Sequence, residues 1–142
     1  MKRIAILNGP NLNLLGTREP GVYGHQTLED LEASWVAFGQ THGVEVICFQ
    51  SNVEGELIDA IQANGFEADA ILINPGGYTH TSVAIRDAIA AVDAPVYEVH
   101  ISHPDAREEF RKTSLVREVC AGGISGLGVQ GYRAVLESII LK

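Results

Sequence analysis

Glu98 and His100 stand two residues apart in the run "VYEVH", so both side chains share one face if that run is a strand. A carboxylate beside an imidazole fixes its tautomer and raises its basicity, as expected of a histidine that gives or takes a proton. A hydrogen-bonded core pair has the same spacing. The position at the carboxyl end of a strand, where open α/β sheets bind ligands, favours chemistry. Directly after it, "ISHPDAREEFR" reads as the opening of a helix, with His103 at the N-cap and Pro104 at the first helical position. The amides around Ile101 and Ser102 then form a seat for a carboxylate. Arg107 and Arg111 are four apart on that helix. Arg107 is assigned to its outer surface, where Glu108 and Lys112 pair at the same spacing. His80 and Asp87, seven apart after "NPGGYT", share a helical face directed at the site, and Gly76 and Gly77 let backbone approach a ligand closely. Tyr78 reads as structural.

A second stretch, "LNLLGTREPGVYGHQT", raises a question of its own. A bland surface loop needs neither Arg18 nor Tyr23, yet they lie five residues apart among Gly16, Gly21 and Gly24. Several chemistries are disfavoured by what is absent. There is no GxGxxG after the first strand, no GxxxxGK[ST] and no GxSxG elbow, so nucleotide readers and α/β-hydrolase serines lack their motifs. None of the three lysines (Lys2, Lys112, Lys142) lies inside an apolar strand, which argues against a desolvated Schiff-base lysine. His100, His103 and Asp105 raise metal-assisted hydrolysis, but their spacing crosses a strand end instead of following one helical face. A passive binding module for a mononucleotide or small acid is the remaining alternative.

The elements that must position these groups alternate regularly. Strands are predicted at Arg3–Leu7, Glu45–Gln50, Ala70–Asn74, Val96–His100 and Gly122–Gly128, several of them nearly continuous apolar runs suited to a parallel sheet covered on both faces. Helices are predicted in "TLEDLEASWVAFGQTHG", with Thr27 as N-cap and Gly43 as terminator, in "EGELIDAIQANG", in "TSVAIRDAIAAVD" and in "GYRAVLESIILK". The pattern implies an α/β doubly wound sheet of five parallel strands with helices on both faces, in flavodoxin-like order, and the length suits a single domain over residues 1–142. Polar and glycine-rich residues follow each strand, so they converge on one rim.

Composition agrees with a globular domain: 142 residues, 46% hydrophobic and 20% charged. No apolar run approaches the roughly 20 residues of a membrane span, and the N-terminal apolar run is too short for a signal peptide, so a cytoplasmic location is expected. Cys48 and Cys120 lack metal or redox spacing and read as small buried hydrophobes. A net charge of −8 with no basic cluster makes nucleic acid and membrane poor partners. An anionic ligand would need a local site, because the global field opposes it.

Together, "NGPNLNLLGTREPGVYG", "NPGGYTHTSVAIRDA", "EVHIS", "AREEFR" and "GLGVQGY" closely resemble type II 3-dehydroquinate dehydratase over nearly the whole chain. The resemblance implies dehydration of 3-dehydroquinate through an enolate, with no metal, no cofactor and no Schiff base, in a homododecamer built from trimers. It implies that Tyr23 is the base, acting as tyrosinate beside Arg18, in a loop whose glycines let it close as a lid. Asn11 would stabilise the enolate by way of an ordered water, and His100, oriented by Glu98, would protonate the departing hydroxyl. Asn74 would orient the substrate, Gly77 would border it, and the Ile101 and Ser102 amides would hold its carboxylate. His80 and Arg111 would bind ring hydroxyls, and Asp87 would serve across a subunit boundary. The chain departs from the family pattern at His103, where asparagine is usual, and at Asp105, often a histidine. Arg117 and Cys120 are also atypical, and the sequence offers no reason for either.

Overall fold

The computed structural model describes residues 1–17 and 25–142. Arg18 and Tyr23 therefore lie outside the described residues. Five parallel strands, β1 (Arg3–Asn8), β2 (Glu45–Gln50), β3 (Ala70–Asn74), β4 (Val96–His100) and β5 (Gly122–Ser125), form one sheet in the order β2-β1-β3-β4-β5. This is the flavodoxin-like order that the alternating pattern predicts.

Side-chain alternation along the strands divides the core into two layers. Ile4, Ile6 and Leu72 face α1 (Leu28–Thr41) and α4 (Gln130–Ile140), packing with Trp35, Phe38, Tyr132 and Leu136. Ala5, Leu7, Ile71 and Ile73 face the other way, against Leu57 and Ile61 of α2 (Glu54–Gly65) and Ile85 and Ile89 of α3 (Val83–Ala91). Thr27 caps α1 as expected, accepting from the Asp30 amide at 3.1 Å while Asp30 accepts from the Thr27 amide at 3.2 Å. Gly43 then turns the chain out of the helix with a φ of 71°.

Three local expectations are corrected. The fifth strand stops at Ser125, because Gly126 and Gly128 adopt φ values of 83° and 65° and turn their amides onto the carbonyls of Ser102 and Ile101, both at 3.0 Å. The helix expected from Pro104 is instead two short 3-10 turns, Pro104–Ala106 and Glu109–Lys112, separated by extended backbone at Arg107 and Glu108. That segment offers no apolar stripe to dock as an α-helix, and its charges pair three apart, as 3-10 geometry brings them: Arg111 with Glu108 and Lys112 with Glu109, each at 3.0 Å. Finally, His80 and Asp87 are not on one helix. His80 ends a 3-10 turn (Gly76–His80), and α3 starts afresh at Val83 with Ser82 as its cap.

The register lines up the carboxyl ends that make the rim. Asn8 is paired with both Gln50 and Asn74, and His100 with Ser125. The turns leaving β1 and β3 then pack backbone to backbone. The Gly9 amide donates to the Asn74 carbonyl at 2.8 Å, and a Cβ on Gly9 would lie 2.5 Å from the Pro75 carbonyl oxygen. Gly9→Ala is expected to cost on the order of 1–3 kcal/mol, since the obstacle is main chain that cannot rotate aside. Urea unfolding at neutral pH measures it; a change within error of zero would show that the two turns can separate freely.

Candidate active site

A cleft opens at the carboxyl ends of β1, β3 and β4. Asn11, Asn74, Gly77, His80, His100, Ile101, Ser102, Arg107 and Arg111 contribute to its walls; among the described residues no carboxylate lines it, and Glu108 pairs with both arginines from outside the lining. The cleft is thus a locally cationic, hydrogen-bonding surface in a protein of net charge −8. That combination suits a small, polar, anionic ligand.

Each wall has a local cause. Asn11 stands in the left-handed region at φ 71°, the one non-glycine residue to do so among the described residues, and its amide donates to Asn52 Oδ1 at 3.0 Å. Asparagine tolerates this conformation better than most side chains. Gly76 has a φ of 61° in the turn after β3, and its amide donates to Asn74 Oδ1 at 3.1 Å. A Cβ on Gly77 would meet no protein atom within 4 Å, so its backbone borders open space. The carbonyls of Ile101 and Ser102 are held by the β5–α4 loop. Because a trans peptide sets N–H opposite C=O, the Ser102 amide points away from that loop. His80 Nδ1 donates to the Thr113 carbonyl at 2.7 Å, leaving Nε2 as the ring nitrogen for a ligand. Arg111 is held by Glu108 and lies 4.9 Å from the centre of the Phe110 ring.

His100 and Glu98 are both nearly withdrawn from water, and His100 Nε2 lies 2.6 Å from Glu98 Oε2. With the carboxylate as acceptor, Nε2 carries a hydrogen and Nδ1 is left to exchange a proton with a ligand. Burial alone would push the Glu98 carboxyl up. The hydrogen bonds from His100 and Ser114, and the charges of His100 and Arg117, outweigh it and hold the group below its ordinary value. Ser114 Oγ donates to Glu98 Oε2 at 2.6 Å, and Arg117 Nε to Oε1 at 3.3 Å.

Beneath the cleft lies a polar network. Tyr132 Oη donates to Asn8 Oδ1 at 2.5 Å and accepts from Asn74 Nδ2 at 2.9 Å, while its ring stacks on Trp35 at 4.4 Å. Burial raises the Tyr132 hydroxyl well above the ordinary phenol range, so it remains protonated and structural.

The structure brings together most of the described residues singled out by sequence, leaves one of them outside and draws in another. Asp87 is exposed on α3 and is not among the residues lining the cleft. Arg107, expected on an outer surface, instead lines the cleft and reaches Ser102 Oγ at 3.4 Å, because the extended backbone there turns it inward. His103 packs over Gly126 instead of capping with its side chain. Cys48 and Cys120 are unpaired, and burial pushes both thiols up to about 12. Tyr78 donates to the Asn52 carbonyl, a structural contact. Sequence reasoning passed over Asn8, Tyr132 and Ser114. A tyrosine on the apolar face formed by Val135, Leu136 and Ile139 was a signal for the second; Ser114, sixteen residues from Glu98, gave none.

The family model for "Dehydroquinase class II" matches residues 2–140. The chain belongs to the class II dehydroquinases. As a dehydratase of this family it is a hydro-lyase. It is 53% identical over 141 residues to the "Catabolic 3-dehydroquinase" of Penicillium rubens, covering 99% of this chain and 91% of that one. It is 56% identical over 137 residues to the "3-dehydroquinate dehydratase" of Deinococcus radiodurans, covering 94% of each. The crystal structure of type II dehydroquinase from Butyrivibrio crossotus superposes with a TM-score of 0.94 at 46% identity, over 97% of both chains. No helix among the described residues is long and apolar enough to cross a membrane.

Two measurements test the interior of this class II dehydroquinase. Tyr132→Phe leaves buried amides on Asn8 and Asn74 without their shared partner and should cost about 1–3 kcal/mol in urea unfolding; a stability equal to the parent's would remove the network from the account. The depressed Glu98 carboxyl contributes stability that is full above its ordinary value of 4.5 and fades as pH falls through its lower native value. Glu98→Gln should therefore flatten the loss of stability below about pH 4.5. An acid limb as steep as the parent's would contradict the assignment.

Proposed function

We propose that the chain converts 3-dehydroquinate to 3-dehydroshikimate, with Tyr23 as base and His100 as general acid. The observation that carries this reading is the cleft itself: among the described residues it has cations and amides on its walls, no lining carboxylate, and a histidine backed by a buried anion. The substrate is a β-hydroxy ketone with a carboxylate. Removal of the proton beside the ketone gives an enolate and neutral Tyr23. The enolate then re-forms the ketone and makes the new C=C bond as the C–O bond breaks. The departing oxygen takes the His100 proton and leaves as water.

Support for each role differs. A phenol titrates near 10, so a tyrosinate at neutrality needs about 4 kcal/mol of selective anion stabilisation. Arg18, always protonated and in the same glycine-rich loop, is the group assigned to supply it, more strongly once the loop closes and water is excluded. Tyr78 and Tyr132 are tied to structural partners, which leaves them no part in proton abstraction. Asn11 stabilises the enolate by way of an ordered water, Asn74 orients the ring beside the Gly77 backbone, and the Ile101 and Ser102 amides seat the carboxylate. His80 Nε2 and Arg111 bind ring hydroxyls, and Arg107, next to Ser102, adds positive charge at the carboxylate end. The same reading has the enzyme working in the cytoplasm as a dodecamer built from trimers. There the outward-facing Asp87 reaches a neighbouring subunit's site.

The test is the appearance of conjugated enone absorbance from 3-dehydroquinate, with chelator and borohydride controls leaving the rate unchanged. Tyr23→Phe should lower kcat by about 10²–10⁴-fold with an unchanged fold, the range for loss of a positioned base. Parent-like turnover in that variant would reject the tyrosinate, and no turnover by the parent would reject the reaction.

A further inference from the structure

Arg117, left unexplained by the sequence, has a specific place behind the proposed acid. Its Nε donates to Glu98 Oε1 at 3.3 Å, while His100 Nε2 holds Oε2 at 2.6 Å. Its backbone amide donates to Ser114 Oγ at 3.2 Å, and that hydroxyl donates to Oε2 at 2.6 Å. One 3-10 turn (Arg117–Val119) thus engages both carboxylate oxygens, one directly and one through Ser114. The Glu98 side chain is 4% exposed and that of Arg117 is 54% exposed, so the guanidinium links a buried carboxylate to the surface. A second cleft, distinct from the substrate cleft, is lined by Glu98, His100, Asp105 and Arg117. His100 lines both clefts, with the reacting ligand on one side and the Arg117–Glu98 pair on the other.

We propose that Arg117 is a positioning residue that sets the acid strength of His100 through Glu98. The inference rests on the reading of His100 as general acid. A lone buried carboxylate would hold the imidazolium proton tightly and make it a poor donor. A guanidinium sharing that carboxylate withdraws part of its negative charge and locks its rotation. The imidazolium then releases its proton to the leaving hydroxyl more readily. Among the described residues, the other titratable or charged groups facing His100 are His80, Arg107 and Arg111 from the substrate side, and Asp105 from the second cleft. The Cys120 thiol, close enough to feel both Glu98 and Arg117, stays neutral and adds no charge. Arg117 is the cation among these that contacts Glu98 itself.

The experiment is an NMR titration of ring-labelled histidines in the intact protein, with the His100 signal assigned by its loss in His100→Asn. In Arg117→Leu, and in the more polar Arg117→Gln should the first not fold, the His100 midpoint should rise by about half a unit or more. Arg117→Lys should restore most of the parent value. The alkaline limb of kcat on 3-dehydroquinate should move the same way in the neutral variants, with kcat reduced and KM little changed. A His100 midpoint unmoved in a folded neutral variant overturns the proposal, as does a lysine variant that shifts as far as leucine. The titration requires no turnover, so a parent enzyme inactive on 3-dehydroquinate would sink the reaction assignment without deciding the Arg117 result.

Discussion

A carboxylate removed from water is costly unless its oxygens are all engaged, and Glu98 is the place where this chain meets that cost. His100, Ser114 and Arg117 supply the donors. Two of the three come from the irregular segment between β4 and β5, which therefore has to be placed accurately although it forms no α-helix. Its anchors are backbone contacts to the preceding turn and helix. The Leu115 amide donates to the Thr79 carbonyl at 2.9 Å, Arg86 holds the Leu115 carbonyl at 2.7 Å, and Val116 is fully buried. The same segment offers the Thr113 carbonyl to His80 and carries Arg107 and Arg111 into the cleft. Satisfying one buried anion and assembling the cationic wall thus depend on the same segment.

The opposite wall is built by close approach of main chain. Gly9 and Pro75 bring the β1 and β3 turns into contact, Gly76 bends back toward Pro10, and Asn11 takes up a conformation that few residues accept. Below them Tyr132 ties Asn8 to Asn74 across adjacent strands. Backbone and buried amides therefore define the position of the polar rim before any exposed side chain contributes to it.

Much of this was legible beforehand, and for identifiable reasons. Strand and helix alternation is a property of local apolar patterning, so a parallel sheet covered on both faces followed from it, and flavodoxin-like order was the expectation for five such strands. The Glu98–His100 pair was visible because two-residue spacing on a strand fixes a common face. What escaped was set by local breaks in helical structure and by long-range placement. Arg107 was assigned outward on the premise of an α-helix that the charged, stripe-free segment does not form. His80 and Asp87 were joined across a break that Ser82 creates by capping a new helix. Ser114 and Arg117 reach Glu98 only after the chain has crossed 16 and 19 positions, beyond anything a motif spacing encodes.

The cationic cleft lies in a body of net charge −8, and the two act over different distances. At physiological ionic strength, repulsion between the body and an approaching anion is damped beyond about 8 Å, whereas any contact an anion makes with the arginines lining the cleft falls well inside that length. Dissolved electrolyte therefore weakens the barrier to encounter more than it weakens the docked state. For an anionic ligand, capture by this acidic protein is therefore tolerant of salt, the reverse of the behaviour of proteins that gather their ligands with a wide basic field.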